Sequence, residues 1–140
     1  MNQYIQIIFY HFILSEPSLA LRMNADFFDA KSIQVCFKYA REYVIKYHQA
    51  PSANQLKELL HLDNKQDVVS DDNVDVLYSS QKSVNDYTYD WLYDNATSWA
   101  QWKNFLNSLK DTIAYVKLNQ DNVSVENVKE IMEHAKGSFN

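Results

Sequence analysis

Glycine is almost absent from this chain, since Gly137 is the only one among 140 residues. Loops that cradle phosphates and the strained turns that carry catalytic nucleophiles need residues that tolerate positive φ or let another backbone approach closely. The patterns G-x-x-x-x-G-K-[ST], G-x-G-x-x-G and G-x-S-x-G are accordingly missing. The sequence therefore excludes a P-loop ATPase site within these residues and predicts that the chain is not an enzyme.

Proline and cysteine are nearly as scarce. Pro17 and Pro51 are the two prolines, so long stretches run without a strong helix breaker, which favours helices joined by short polar turns. The single cysteine, Cys36, cannot form an internal disulfide, and its apolar neighbours predict a small buried side chain. The four histidines lack metal-ligand spacing, so we expect neither a metal nor another cofactor.

An apolar run lies near the N-terminus and includes Ile5, Ile8 and Phe12. It is too short to span a bilayer, which takes about 20 apolar residues, and no positive charge precedes it as in a secretory signal. We interpret the run as a core helix. Together with the single cysteine, this predicts a cytoplasmic protein that contacts no membrane.

The net charge of −5 is concentrated in residues 63–90, where seven aspartates face two lysines. An acidic chain lacks the basic surface with which autonomous nucleic-acid-binding proteins neutralise phosphates, so we expect no direct contact with nucleic acid. One alternative stays open, which is contact with nucleic acid at a basic cluster interleaved with tyrosines. The cluster consists of Lys31, Lys38, Arg41, Lys46, Tyr39, Tyr43 and Tyr47. Solvated lysines on the outer face of a packed helix explain this cluster more simply.

Helical periodicity dominates the first 80 residues. Helices are predicted over 3–14, from Pro17 to about residue 23, over 30–48, after a capping box at Ser52, and over about 71–80. In the third of these, apolar residues recur at offsets of three and four and form a predicted core face. Its members are Ile33, Phe37, Ala40, Val44 and Tyr47.

The C-terminal third predicts two longer helices. Apolar residues recur every three or four positions between about 88 and 118 and again after Ser124, with the polar turn 119–122 between them. This spacing of about 3.5 residues predicts an antiparallel hairpin with coiled-coil-like packing. We therefore expect an all-α fold and one domain, in which residues 1–80 form a helical globule and residues 88–140 form the hairpin.

The aromatic residues of the hairpin allow two interpretations. Trp91 and Phe105 lie beside the apolar stripe and widen it beyond what one partner helix can cover. The stripe is either part of an intramolecular core or a surface for self-association, because tryptophan and tyrosine serve both purposes.

Residues 25–60 contain an aromatic pair, a long amphipathic helix, a short turn with proline and a further helix. The residues of this pattern are Phe27, Phe28, Ile33, Phe37, Tyr43, Tyr47, Pro51, Leu56 and Leu59. In these features, and more loosely along nearly the whole chain, the sequence resembles the N-terminal domain of DnaB-type replicative helicases, especially those of T-even-like phages. The acidic segment 63–90 departs from the family pattern.

The resemblance implies a non-catalytic collar domain that begins at Met1 and continues past Asn140 into an ATPase domain absent from this chain. It further implies partners: the domain itself, as dimers that assemble into a trimer of dimers, and a primase or helicase loader. By position, the implied self-association surface consists of Trp91, Trp99, Trp102, Phe105, Leu109, Val128, Met132 and Ala135. The alternatives are a free-standing helical adaptor or helicase loader and, third, a small helical enzyme or nucleic-acid-binding protein.

Overall fold

The computed structural model describes residues 2–119 and 124–137, with backbone alone from residue 134 onwards. Within these ranges the prediction of an all-α fold is confirmed, because there are seven α-helices, two 3-10 helices and no strand. The α-helices are α1 Gln3–Leu14, α2 Pro17–Ala20, α3 Lys31–Tyr47, α4 Ala53–Leu62, α5 Asp71–Ser79, α6 Tyr89–Leu118 and α7 Val125–Gly137. The 3-10 helices are Ala25–Phe27 and Gln81–Asp86.

The chain forms two compact units, a globular unit of Met1–Tyr93 and a C-terminal unit of Asp94–Asn140. The boundary lies inside α6, later than the division that we expect from the sequence between residues 80 and 88. The start of α6 belongs to the globular unit because its side chains pack there. The ring of Tyr89, for example, contacts that of Phe12 in α1 edge to face, with centroids 5.5 Å apart.

Helix α1 is the centre of the globular unit. Its seven residues from Ile8 to Leu14 are all buried, so the second half of the helix is covered on every side by α2, α3, the second 3-10 helix and α5. A helix that is apolar all round belongs in a core. The prediction of a core helix is thus confirmed, although more of its surface is buried than one face. Across the described part of the chain, no helix combines the length and apolarity that crossing a membrane requires.

Polar side chains of α1 are buried only with partners. The amide of Gln6 donates to a carboxylate oxygen of Asp29 at 2.6 Å and accepts the backbone N–H of Asp29 at 2.9 Å. His11 Nε2 lies 2.9 Å from the carbonyl oxygen of Leu77, and the hydroxyls of Tyr10 and Tyr78 are 3.2 Å apart. Because an unpaired buried polar group is costly, these contacts fix how α1 meets α5 and the segment just before α3.

Helix α3 packs through four of the five residues of its predicted core face. Ile33, Phe37, Ala40 and Val44 are at most 3% exposed, but Tyr47 is 53% exposed. The prediction is wrong for Tyr47 because α3 ends there. The next residue, His48, has a φ of 59°, which turns the chain away from the core.

Cys36 also lies in α3, and its thiol is 1% exposed. Burial raises the pKa of this thiol to about 12, so it stays protonated at neutral pH. The prediction of a small buried side chain is confirmed.

Helices α4 and α5 both begin with a capping box. The hydroxyls of Ser52 and Ser70 each accept the backbone N–H three residues on, and the side chains of Gln55 and Asn73 bond back to the cap. The capping box predicted at Ser52 is confirmed. After α4 the chain turns at Asn64, which has a φ of 55°.

Two side-chain contacts then join α4 to α5, an ion pair between Lys57 and Asp75 and a hydrogen bond between His61 and Asp71. Lys57 lies 2.6 Å from Asp75, and His61 lies 2.7 Å from Asp71. Two of the seven aspartates in the acidic segment are therefore structural partners of α4. Exposed pairs of this kind contribute little to stability, so the apolar contacts of Val74 and Leu77 hold α5 in place.

The buried imidazole of His11 predicts a pH-dependent stability. Burial lowers the pKa of His11 below the ordinary 6.5. As the pH falls below 6.5, the imidazole therefore binds a proton in the unfolded chain more readily than in the folded chain. The free energy of unfolding should therefore decrease between about pH 6.5 and 5.5, by at most about 1.4 kcal/mol per pH unit. Urea denaturation across this range should give a flatter profile for His11→Gln. The matched control His48→Gln removes an exposed imidazole and should keep the slope of the unmodified chain; equal slopes in all three proteins contradict the assignment.

Candidate functional site

The C-terminal unit contains a helical hairpin. Ser108 in α6 donates to the carbonyl oxygen of Ile131 in α7 at 3.5 Å, and Asn127 in α7 donates to the hydroxyl of Tyr115 in α6 at 2.8 Å. Partners later in α6 are thus earlier in α7, so the two helices run antiparallel, as predicted. Ser124 caps α7 by accepting the N–H of Asn127 at 3.3 Å. Most of the predicted turn, residues 120–122, lies outside the described residues.

The apolar stripe of α6 is on a different side from these hydrogen bonds. At 100° per residue, Ser108 and Tyr115 lie more than about 100° around the helix axis from the centre of the stripe. The large side chains of the stripe remain in contact with solvent. Trp102 is 57% exposed, Phe105 43%, Ile113 53% and Val116 39%.

These four residues, with the half-buried Leu106 and Leu109 between them, are named the α6 stripe. Trp102, Leu106, Leu109, Ile113 and Val116 follow one another at steps of four and three residues, which is the a and d spacing of a coiled-coil seam. The rings of Trp102 and Phe105 are stacked, with centroids 5.8 Å apart and planes at 27°. The arrangement presents a row of apolar side chains along four turns of one helix.

The residues of the predicted self-association surface have different environments. Trp91, Trp102, Phe105 and Met132 are exposed, Leu109 and Val128 are half-buried, and Trp99 is only 4% exposed. Trp99 therefore belongs to a core, because little of its ring is left for a partner. Trp91 lies in the globular unit, whereas the others lie in the C-terminal unit. The backbone of Ala135 is helical, and its side chain lies outside the described residues.

The self-association surface implied by the family resemblance does not include Ile113 and Val116, although both continue the spacing of Trp102. Their signal was present in the periodicity, but an apolar residue at an a or d position is equally typical of a covered core. Val125, at the start of α7, was omitted as well and is 79% exposed.

The family-motif residues lie mainly in the core of the globular unit. Tyr43 and Leu59 are half-buried, and Tyr47 is on the surface. The rings of Tyr43 and Tyr47 are 4.6 Å apart and line one shallow groove with Lys46. The remaining motif residues are buried: Phe27, Phe28, Ile33, Phe37, Pro51 and Leu56.

Two side chains of the basic cluster on α3 make contacts within the fold. Arg41 donates to the carbonyl oxygens of Ala20 and Leu21 at 2.9 and 2.8 Å and so satisfies the C-terminal end of α2. Lys46 lies 5.2 Å from the ring centre of Tyr47. These contacts favour the simpler interpretation of the cluster as the outer face of a packed helix.

Two tyrosines of the globular unit have clearly raised pKa values. Desolvation is the main cause of the raised pKa of Tyr10 and Tyr78, the latter to about 12, and both hydroxyls lie among the core side chains around α1. In the described residues no group of three His, Cys, Asp or Glu side chains is arranged to hold a metal ion.

A pair of tryptophans one helical turn apart tests the division between core and stripe. Trp99→Ala should lower the free energy of unfolding by about 3–5 kcal/mol, because it removes a buried indole. Trp102→Ala should lower it by less than about 1 kcal/mol, since that ring is mostly exposed. Urea denaturation at micromolar protein measures both, and similar losses for the two variants contradict the placement of Trp102 on the surface.

The chain was compared with models of protein families, with curated proteins and with solved structures. None of the three comparisons gave a match. Inference about function therefore depends on the residues, contacts and exposure described above.

Proposed function

We propose that this chain is a non-catalytic interaction domain that associates with itself through the C-terminal hairpin. We further propose that it serves as the N-terminal collar domain of a DnaB-type replicative helicase and docks a primase or helicase loader. The observation that carries the proposal is the α6 stripe. A coiled-coil seam that its own hairpin leaves open to solvent is suited to a second helix.

The energetics of the stripe favour association. From Trp102 to Val116 the seam is about 21 Å long, at 1.5 Å per residue. Covering a large apolar side chain fully contributes about 1.5–3 kcal/mol, and four such side chains are exposed here by 39–57%. Exposed apolar rows of this kind are typical of protein–protein contacts.

A second copy of the chain fits the stripe by its spacing. Two stripes with the same steps of four and three can interdigitate about a two-fold axis, so that each copy offers the same residues to the other. The contact is short, and stable interfaces bury about 800 Å² on each partner. We therefore expect a weak dimer whose population depends on protein concentration.

The assignment to a helicase collar is supported by the order of parts and by the motif residues. A helical globule precedes a helical hairpin, which is the order that the family resemblance implies. Phe27, Phe28 and Phe37, which carry much of that resemblance, are at most 2% exposed. The rings of Phe28 and Phe37 contact that of Tyr10 in α1. The pattern thus belongs to the architecture of the globule rather than to scattered surface positions.

Sedimentation velocity from about 10 μM to 1 mM protein tests self-association. The weight-average mass should rise with concentration, and Trp102→Glu should hold the chain at the mass of a monomer, because a carboxylate in an apolar seam is poorly solvated. Leu62→Glu is the matched control, since Leu62 is 76% exposed in the globular unit and should not affect association. A monomer at every concentration of the unmodified chain removes this part of the proposal.

The reading frame of the gene tests the assignment to a helicase. We expect codons beyond Asn140 to lead into a segment with the pattern G-x-x-x-x-G-K-[ST], since the motor of such a helicase binds ATP. A stop codon at that point, together with a monomeric chain, would instead support a free-standing adaptor or loader.

A further inference from the structure

The start of α6 carries a second aromatic surface, in the globular unit. The rings of Tyr87 and Trp91 are stacked with centroids 5.1 Å apart, and those of Tyr89 and Tyr93 with centroids 6.1 Å apart. Both pairs are close to parallel, at 23° and 21°. Tyr89, Trp91 and Tyr93 are 53%, 41% and 38% exposed, so part of each side chain remains in contact with solvent beside its stacked partner.

A carboxylate lies between the two ring pairs. Asp90 is flanked by Tyr89 and Trp91, each about 100° away around the helix, and its side chain is exposed. Asp86, also exposed, precedes the helix, and the whole segment 63–90 holds seven aspartates against two lysines. An acid in a first helical turn stabilises the helix by itself, but that role does not require exposed rings on both sides. Tyr87, Tyr89, Asp90, Trp91 and Tyr93 together are named the aromatic–acidic face.

The aromatic–acidic face is held in place before any partner arrives. The ring of Tyr89 packs edge to face on Phe12, and its hydroxyl bonds to Glu16, a contact that adds to desolvation in raising the pKa of Tyr89. Each stacked pair restrains the rotamers of its members. Little side-chain entropy is therefore lost on binding.

We propose that the aromatic–acidic face binds an arginine-rich segment of a partner protein. A guanidinium group can lie flat on an exposed ring while it donates two parallel hydrogen bonds to a carboxylate, which a lysine ammonium cannot do. The exposed carboxylates of Asp86 and Asp90 complement the charge of such a partner, and this attraction speeds its approach. The proposal does not depend on self-association, because every residue of the face lies in the globular unit.

Titration with short peptides tests the proposal. An arginine–glycine peptide of about eight residues is compared with peptides in which lysine or glutamine replaces each arginine. Binding to the 140-residue chain is followed by the backbone amide and indole signals in NMR spectra, so that variants without Trp91 can be measured too. We expect the arginine peptide to bind at least about threefold more tightly than the lysine peptide, and the glutamine peptide not to bind. Equal binding of the arginine and lysine peptides would mean general charge attraction and would overturn the assignment.

Matched variants locate the contact. Trp91→Ala and Asp90→Asn should each weaken the arginine peptide by about threefold or more. Asp72→Asn removes an equal charge from α5, and Trp102→Ala removes an equal ring from the α6 stripe; both should leave the affinity unchanged. The arginine peptide should also bind to Trp102→Glu, the variant that we expect to stay monomeric. A loss of peptide binding in another variant can then be distinguished from a loss of the dimer. Equal weakening by Asp72→Asn, or unaltered binding in Trp91→Ala with unchanged circular dichroism, refutes the proposal.

Discussion

The complete burial of the second half of α1 is the constraint on which the globular unit depends. Seven consecutive residues cannot be covered by one neighbour, so elements from far along the sequence must surround them. The polar atoms on the same helix then restrict where those elements lie, because His11 needs the carbonyl of Leu77 and Gln6 needs Asp29. Apolar burial supplies the stabilisation, and a few hydrogen bonds make the arrangement unique.

Helix α6 combines two kinds of surface in one element. Its first turn packs through Tyr89 on α1 and presents rings beside a carboxylate, whereas its later turns present an apolar seam between Trp102 and Val116. The former suits a charged, planar partner group, and the latter suits another helix. A single continuous helix thus carries two chemically different surfaces.

Much of the fold could be predicted from local patterns, because caps and periodicity act within a few residues. The capping box at Ser52 and the core face of α3 from Ile33 to Val44 are examples. Contacts across long separations could not: nothing local pairs Tyr10 with Tyr78, 68 positions away. Only part of the candidate site could be predicted, for a related reason. An a and d spacing predicts that apolar residues are covered, but it does not show whether α7, a core or another molecule covers them. The sequence alone therefore cannot distinguish the buried Trp99 from the exposed Trp102.

The scarcity of glycine has a consequence in the denatured ensemble. His48 and Asn64 adopt left-handed backbone angles, with φ of 59° and 55°, which glycine would adopt at lower conformational energy. Glycine at these sites would also loosen the disordered chain and increase the entropy that folding must overcome. Histidine and asparagine at these sites therefore place torsional strain at two helix ends, and they also make the denatured chain less flexible than glycine would. The net effect on stability is therefore the difference between the torsional cost in the folded chain and the smaller entropy of the denatured chain.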